Sequence, residues 1–488
     1  MIKVLFATSE VAPLIKTGGL ADVSGALPAA LRAIGVDVQV LIPGYPKVWA
    51  QVGAVKSVAE LTLAGFPAAR LFQGTLPNND VPLLILDCPI LFQRAGGPYQ
   101  DMTGSDWEDN ALRFGLLSKV AALLGSDHSP LAWIPDVVHC NDWQTGLVPA
   151  YLRFDLEARA RSVMTVHNLA FQGNFAPTTL STLGLPAASF GVNGAEFYGH
   201  FSFLKAGLFY ADQLTTVSPT YAQEIQQAAL GFGMQGLLHT RAADFTGILN
   251  GIDMDEWNPA TDIHLPAHYK VGKMTGKKVN KVTLQTQMGL TVDEDIPLLG
   301  VVSRLTHQKG LDLLLEIAPR LIELPVQLVI LGSGDAVMQQ TARDLATQYP
   351  DKIAVKIGFS ETLSHQIEAG ADLFIMPSRF EPCGLNQFYS QRYGTPPVVH
   401  ATGGLADSVV DCTAETLKNG TASGFVFSGM TAENLYQTIA RAISVYQDNR
   451  KWQTLRKLCM SKDFRWETSA EAYRQVYLRA LGNTSTPE

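Results

Sequence analysis

Residues 297–323 read PLLGVVSRLTHQKGLDLLLEIAPRLIE, and three patterns follow one another in that segment. PLLGVVS is apolar at consecutive positions, as expected of a strand buried on both faces of a parallel sheet; a strand with one wet face would alternate. SRLTHQKG is polar and holds two cations, Arg304 and Lys309. GLDLLLEIAPRLIE spaces its leucines and isoleucines as the buried stripe of an amphipathic helix. Strand, turn and helix in that order make one βα unit, which buries both its faces only beside further units of the same kind.

The unit recurs on both sides of this segment. IKVLFA, DVQVLIP, VPLLILD, DVVHC, RSVMTV and QLTTVS precede it, while VQLVIL, KIAVKI, LFIMP, PPVVH and GFVF follow. Each run ends in a turn leading to a helical pattern such as GALPAALRAIG. This predicts an α/β chain of two Rossmann-like, doubly wound domains. The stretch TGILNGIDMDEWNPATD, rich in Asn, Asp and Pro, is the expected boundary. The domains are therefore placed at 1–250 and 251–460. A closing segment, 461–488, is expected to send a helix back to the first domain and to end in a disordered tail, NTSTPE.

Composition narrows the function. The 488 residues are 47% hydrophobic and 17% charged, the profile of a folded globular chain. A net charge of −8 argues against a nucleic-acid partner, because a polyanion is repelled by an acidic surface. Five cysteines without metal-like or paired spacing fit reduced thiols in a reducing compartment. MIKVLFATSE reads as a first strand and not a signal peptide, and the longest uncharged runs are broken by Gly, Pro, Ser and Asn. No membrane contact is expected, and the cytoplasm is the expected compartment.

Doubly wound sheets bind ligands beyond the carboxyl ends of their strands, so the turns after strands carry the candidates. The letters TGGLAD occur twice, at 17–22 and 402–407. In the first copy Lys16 precedes Gly18 and Gly19 at a helix start, where free amides and a cation suit phosphate; an ordinary turn before a helix gives the same letters. Arg304 and Lys309 suit a diphosphate. SRFEPCGLNQF places Glu381 after a strand, followed by the amides of Gly384 and Leu385. HCNDW and TVHNLAFQG put Asp142, His167 and Asn168 at the ends of successive strands. GxSxG, HExxH and GxxxxGK[ST] are all missing, and the first turn lacks GxGxxG, which speaks against serine hydrolase, zinc protease, P-loop and nicotinamide chemistry.

Taken together and in order, KTGGLADV, HCNDW, TVHNLAFQG, SFLKAGLFYAD, VSPTYAQEI, ILNGID, VVSRLTHQKGLDLL, SRFEPCGLNQ and TGGLADSV resemble the bacterial glycogen synthases and related starch synthases, over residues 1 to about 475. The resemblance implies a GT-B glycosyltransferase with two Rossmann-like domains facing a deep cleft. It would move glucose, with retention, from ADP-glucose to the non-reducing end of an α-1,4-glucan, with no metal or cofactor. Carried onto this sequence, Lys16, Gly18 and Gly19 would meet the donor from the first domain. Arg304 and Lys309 would neutralise its diphosphate, and the Gly384 and Leu385 amides would hold the distal phosphate; Ser378 and Cys383 of the same turn would also bind substrate. Glu381 would face the reacting carbon. His167, Asn168 and Asp142 would hold the sugar, with Tyr99 nearby and Asn250 at the hinge strand. Phe359 would offer its ring to adenine.

Three positions depart from relatives, one of them Phe359, where some relatives have Tyr. Many GT-B transferases carry a second Glu eight residues after the first, where this chain has Tyr389; that fits the glycogen and starch synthase branch. Asn141 stands where the family often has His. Competing readings are a phosphorylase-like enzyme using pyridoxal phosphate, whose chain is usually much longer, and a catalytically silent protein that binds sugar nucleotide or glucan.

Overall fold

The computed structural model describes residues 1–155 and 157–482; the NTSTPE segment lies outside the described residues. The chain forms two compact units, Met1–Gly251 joined by the segment from Trp466 onward, and Ile252–Arg465.

The first unit is built on a nine-stranded sheet in the order Phe245–Gly247, Gln213–Thr216, Arg161–Val166, Val137–Asn141, Lys3–Ala7, Asp37–Pro43, Pro82–Asp87, Ala69–Thr75 and Lys56–Leu61. The seven strands from Phe245–Gly247 through Pro82–Asp87 pair in parallel, and the last two add antiparallel. Val4, Leu5, Phe6 and Ala7 are fully buried, which is why that strand shows no alternation. Ala69–Thr75 and Lys56–Leu61 leave about half their side chains in water, and their mixed sequences carry no continuous apolar run. A small antiparallel sheet holds Asn174–Phe175, Glu196–Phe197 and His200–Ser202. The helix Glu467–Ala480 also belongs to this unit. Its Tyr473 and Tyr477 are fully buried, and the Tyr477 hydroxyl lies 2.8 Å from His139 Nδ1.

The second unit has six strands, all parallel, in the order Ile353–Ile357, Gln327–Gly332, Leu298–Val302, Leu373–Met376, Pro397–His400 and Phe425–Phe427. In chain order this is 3-2-1-4-5-6, the arrangement in which dinucleotide-binding folds reverse direction between strands 1 and 4. The parallel strands of the first unit show the same reversal, between Lys3–Ala7 and Val137–Asn141. The second unit's core joins Leu299 and Val301 to Leu311, Leu314 and Ile317 of the helix Leu311–Leu321. Its entering segment is pinned by a buried cluster. Asp262 accepts from the Tyr393 hydroxyl (2.5 Å) and pairs with His365 (2.8 Å), and Trp257 stacks between the rings of His365 and Tyr389. Burial alone would lower the His365 pKa; hydrogen bonds to Asp262 and Glu361 outweigh it and raise the ring to about 9. Tyr389 is thus committed to packing at the position where many transferases carry an acid.

Candidate active site

In the second unit the turns after strands 1 and 4 are tied together beyond the carboxyl edge. Lys309 Nζ lies 2.5 Å from Glu381 Oε2, and Ser378 Oγ donates to the same oxygen at 3.0 Å. The carboxylate is almost fully buried and the ammonium largely so. Arg379 holds the geometry from outside: its guanidinium takes Asp312 in a bidentate pair (2.6 and 2.7 Å), and its backbone N–H donates to the Gln308 carbonyl. Asn386 Nδ2 donates to the Val302 carbonyl at the end of strand 1 (2.8 Å), and His400 Nδ1 donates to the Ser378 carbonyl (3.0 Å). Arg304 is exposed on the same turn as Lys309, with no acid within ion-pairing distance among the described residues. Gly384 has φ +72°, and a Cβ there would crowd Gln387 Oε1 and Glu381 Cγ. Cys383 is buried beside it and Leu385 begins the following turn of helix. Phe359, two residues past strand 3, is 78% exposed, its ring open to stacking.

The first unit's equivalent edge gathers side chains from the turns after several strands. Asp142 follows the fourth parallel strand with φ +56°, a conformation few residues other than glycine adopt and one that gathers at functional sites. It turns its carboxylate onto the backbone N–H groups of His167 (2.7 Å) and Asn168 (3.4 Å). Burial raises the Asp142 carboxyl to about 7, with Glu10 adding to the rise and the two amides opposing it. Burial also lowers His167 to about 3, so its ring is neutral. His167 Nε2 lies 2.9 Å from Asn141 Oδ1, which makes Nε2 the donor and leaves Nδ1 as the ring's acceptor. Asn141 in turn donates to the Ala7 carbonyl at 3.0 Å, so this departure from relatives aligns the histidine.

Beside them lies a residue that motif reading passed over. Glu10, in the turn after strand 1, is buried; it accepts from the Thr17 N–H, the Thr17 hydroxyl (2.6 Å) and the Tyr99 hydroxyl. Its signal was position alone: the turn after the first strand, at the edge where the sheet reverses. Tyr99 also meets Ser9 Oγ at 2.8 Å and packs against Phe114 and Trp143. Gly18 precedes the helix Gly19–Ala33 in an extended conformation, and a Cβ on it would meet nothing within 4 Å. Lys16 is half exposed and pairs with Asp22 at 2.7 Å. Asn250 is buried, and its Oδ1 has no hydrogen-bond partner among the described residues. Thus Asp142, His167 and Asn168 form one cluster, Ser378, Glu381 and Lys309 another.

Known proteins resemble this chain over nearly its whole length. Residues 3–240 match the starch synthase catalytic domain family, and residues 287–455 match glycosyl transferases group 1. A glycogen synthase from Nitrosospira multiformis is 57% identical, covering 98% of this chain and 97% of the relative. One from Nitrosomonas eutropha is 58% identical, covering 98% and 96%. The catalytic domain of starch synthase IV from Arabidopsis thaliana, bound to ADP and acarbose, matches with a TM-score of 0.88 at 34% identity over 99% of each chain. Sucrose-phosphate synthase from Thermosynechococcus elongatus, at 17% identity, has a TM-score of 0.60 over 99% of this chain and 100% of the other and shares the fold alone. With a GT-B fold and relatives of this identity over nearly its whole length, the chain belongs to the glycogen synthase family of glycosyltransferases.

Proposed function

We propose that this enzyme transfers glucose from ADP-glucose to the non-reducing end of an α-1,4-glucan with retention of configuration. The observation that carries the reading is the Lys309–Glu381 pair beside the exposed Arg304, where the second unit's sheet reverses. The main charge to stabilise is that developing on the departing ADP, and preorganised cations in a dry turn do this without reorganising solvent. Glu381 fixes the direction of the Lys309 ammonium, which keeps two further N–H bonds for phosphate oxygens. Arg304 supplies the forked partner. The backbone N–H groups of Gly384 and Leu385, flanked by Ser378 and Cys383, complete the phosphate cradle, and Phe359 stacks on the base.

In the first unit, Lys16, Gly18 and Gly19 serve the donor, while His167, Asn168, Asp142, Tyr99 and Asn250 serve glucose hydroxyls. The orphaned Asn250 oxygen and the His167 Nδ1 lone pair are acceptors suited to sugar O–H groups. Retention follows from attack on the face the leaving group departs from. The acceptor 4-hydroxyl oxygen bonds to C1, the C1–phosphate bond breaks, and the hydroxyl proton passes to the departing phosphate oxygen. Five buried cysteines that form no disulfide among the described residues suit a reducing cytoplasm. Among the described residues no helix is long and apolar enough to cross a membrane.

The test is purified protein with glycogen and either ADP-glucose or UDP-glucose, following nucleotide release and glucan elongation. Elongation faster with ADP-glucose is expected. No elongation from any nucleotide-glucose overturns the reading.

A further inference from the structure

Three segments of the first unit that touch one another each carry an aromatic ring exposed to solvent. The turn after strand Arg161–Val166 carries Phe171, 53% exposed, three residues beyond Asn168. The tip of the hairpin formed by Glu196–Phe197 and His200–Ser202 carries Tyr198, 78% exposed, and the loop before helix Gln235–Thr240 carries Phe232, 40% exposed. Gln172 binds them together. Its Nε2 donates to the Phe232 carbonyl at 3.0 Å, and its own carbonyl accepts from Ser202 Oγ at 3.1 Å. The hairpin tip closes over the second loop: a Cβ on Gly233 would stand 2.9 Å from Phe197 Cζ and 3.0 Å from Tyr198 Cε2.

The backbone is strained where the rings are raised. Tyr198 has φ +48° and Phe232 φ +46°, conformations that cost bulky residues energy and persist only where surroundings impose them. Folding alone gains little from holding exposed rings there. The flanking groups include the neutral hydrogen-bonders Gln172 and Asn174; the hairpin's acid, Glu196, is occupied by the Gly199 N–H at 2.7 Å, and the Lys205 ammonium by the Val192 and Glu196 carbonyls. Flat apolar faces beside uncharged donors and acceptors match the alternating C–H faces and hydroxyl edges of pyranose rings.

We infer that Phe171, Tyr198 and Phe232 form a stacking platform for the acceptor glucan, continuous with the His167–Asn168 turn. The inference rests on the proposed glucosyl transfer for the identity of the ligand. Single alanine variants at the three positions, with Tyr198→Trp as the conservative variant, test it by three readouts: retardation in native gels containing glycogen, the separate KM values for glycogen and ADP-glucose, and sedimentation. The expected result is reduced retardation and a KM for glycogen raised about fivefold per ring, with the KM for ADP-glucose unchanged and Tyr198→Trp close to wild type. Wild-type retardation and glycogen KM in Phe171→Ala and Tyr198→Ala overturn the platform. So does a change in sedimentation with glucan affinity intact, which would make this face a contact between copies. Retardation of the wild type without transfer from any donor, lost in the variants, would keep the platform and overturn the glucosyltransferase reading instead.

Discussion

The two TGGLAD turns share six letters and obey different constraints. At 17–22 Gly18 is extended, with open space where a side chain would stand, and a fifteen-residue helix follows. At 402–407 Gly403 has φ +42°; a Cβ on it would overlap the Glu381 carbonyl oxygen, and one on Gly404 would overlap the Cys383 backbone. The Gly404 N–H donates to the Glu381 carbonyl at 3.1 Å. Gly18 keeps a surface clear; the second pair lets a neighbouring chain segment press against the loop that carries Glu381. The same contrast extends to the two sheet edges. Both reverse at the same point of the strand order, yet one presents Arg304, Lys309 and Glu381, and the other a neutral histidine and a carboxyl raised toward neutrality.

Substitutions on either side can break this comparison. The largest effect is expected for Lys309→Ala: kcat at saturating donor should fall about 100- to 1,000-fold, as for loss of one preorganised charge-stabilising donor. A loss below about tenfold would deny the second edge its charge role. Next is Asp142→Asn. The folded carboxyl titrates near 7, above the unfolded value near 3.9, so between these values the folded state binds more protons and stability falls as pH rises, becoming level above about 7. The variant lacks that fall, so its stability relative to wild type should climb from pH 4 to pH 7 by up to about 3–4 kcal/mol in denaturant titrations. Parallel curves would mean an ordinary solvated carboxylate.

Third, Gly404→Ala should lose about 2–3 kcal/mol through overlap with the fixed Cys383 backbone, while Gly18→Ala should lose less than about 1 kcal/mol. Equal losses would erase the distinction between the turns. Smallest is Lys16→Ala, which removes an exposed pair with Asp22 and should change stability by under about 0.5 kcal/mol while raising the KM for ADP-glucose. An unchanged KM would make the first turn purely structural.

Much of this was legible because burial writes itself into composition. Every apolar run quoted from the sequence corresponds to a strand; DVQVLIP and RSVMTV match Asp37–Pro43 and Arg161–Val166 to the residue. The strands that escaped were half-wet, as in Lys56–Leu61 and Ala69–Thr75, or two to three residues long, as in Glu196–Phe197, too short to show a period. Cations were visible because a charged pair at a strand's end stands out against an apolar run. Glu10 was not, because its partner Tyr99 is far along the chain and a lone acid in a turn carries no spacing. The Asp262–His365 pair escaped for the same reason.

The helix Glu467–Ala480 gives the chain an order of assembly. The second unit is an insertion within the first, entering at Ile252 and leaving at Arg465, with the Ile252 N–H bonded to the Phe464 carbonyl at 2.8 Å. On a ribosome adding roughly 5–20 residues per second, the first unit therefore waits some tens of seconds for the tyrosines that cover His139. By the end of that interval the inserted unit is complete in sequence, while the unit that began first still exposes a core histidine. The N-terminal half of this protein is the part that finishes last.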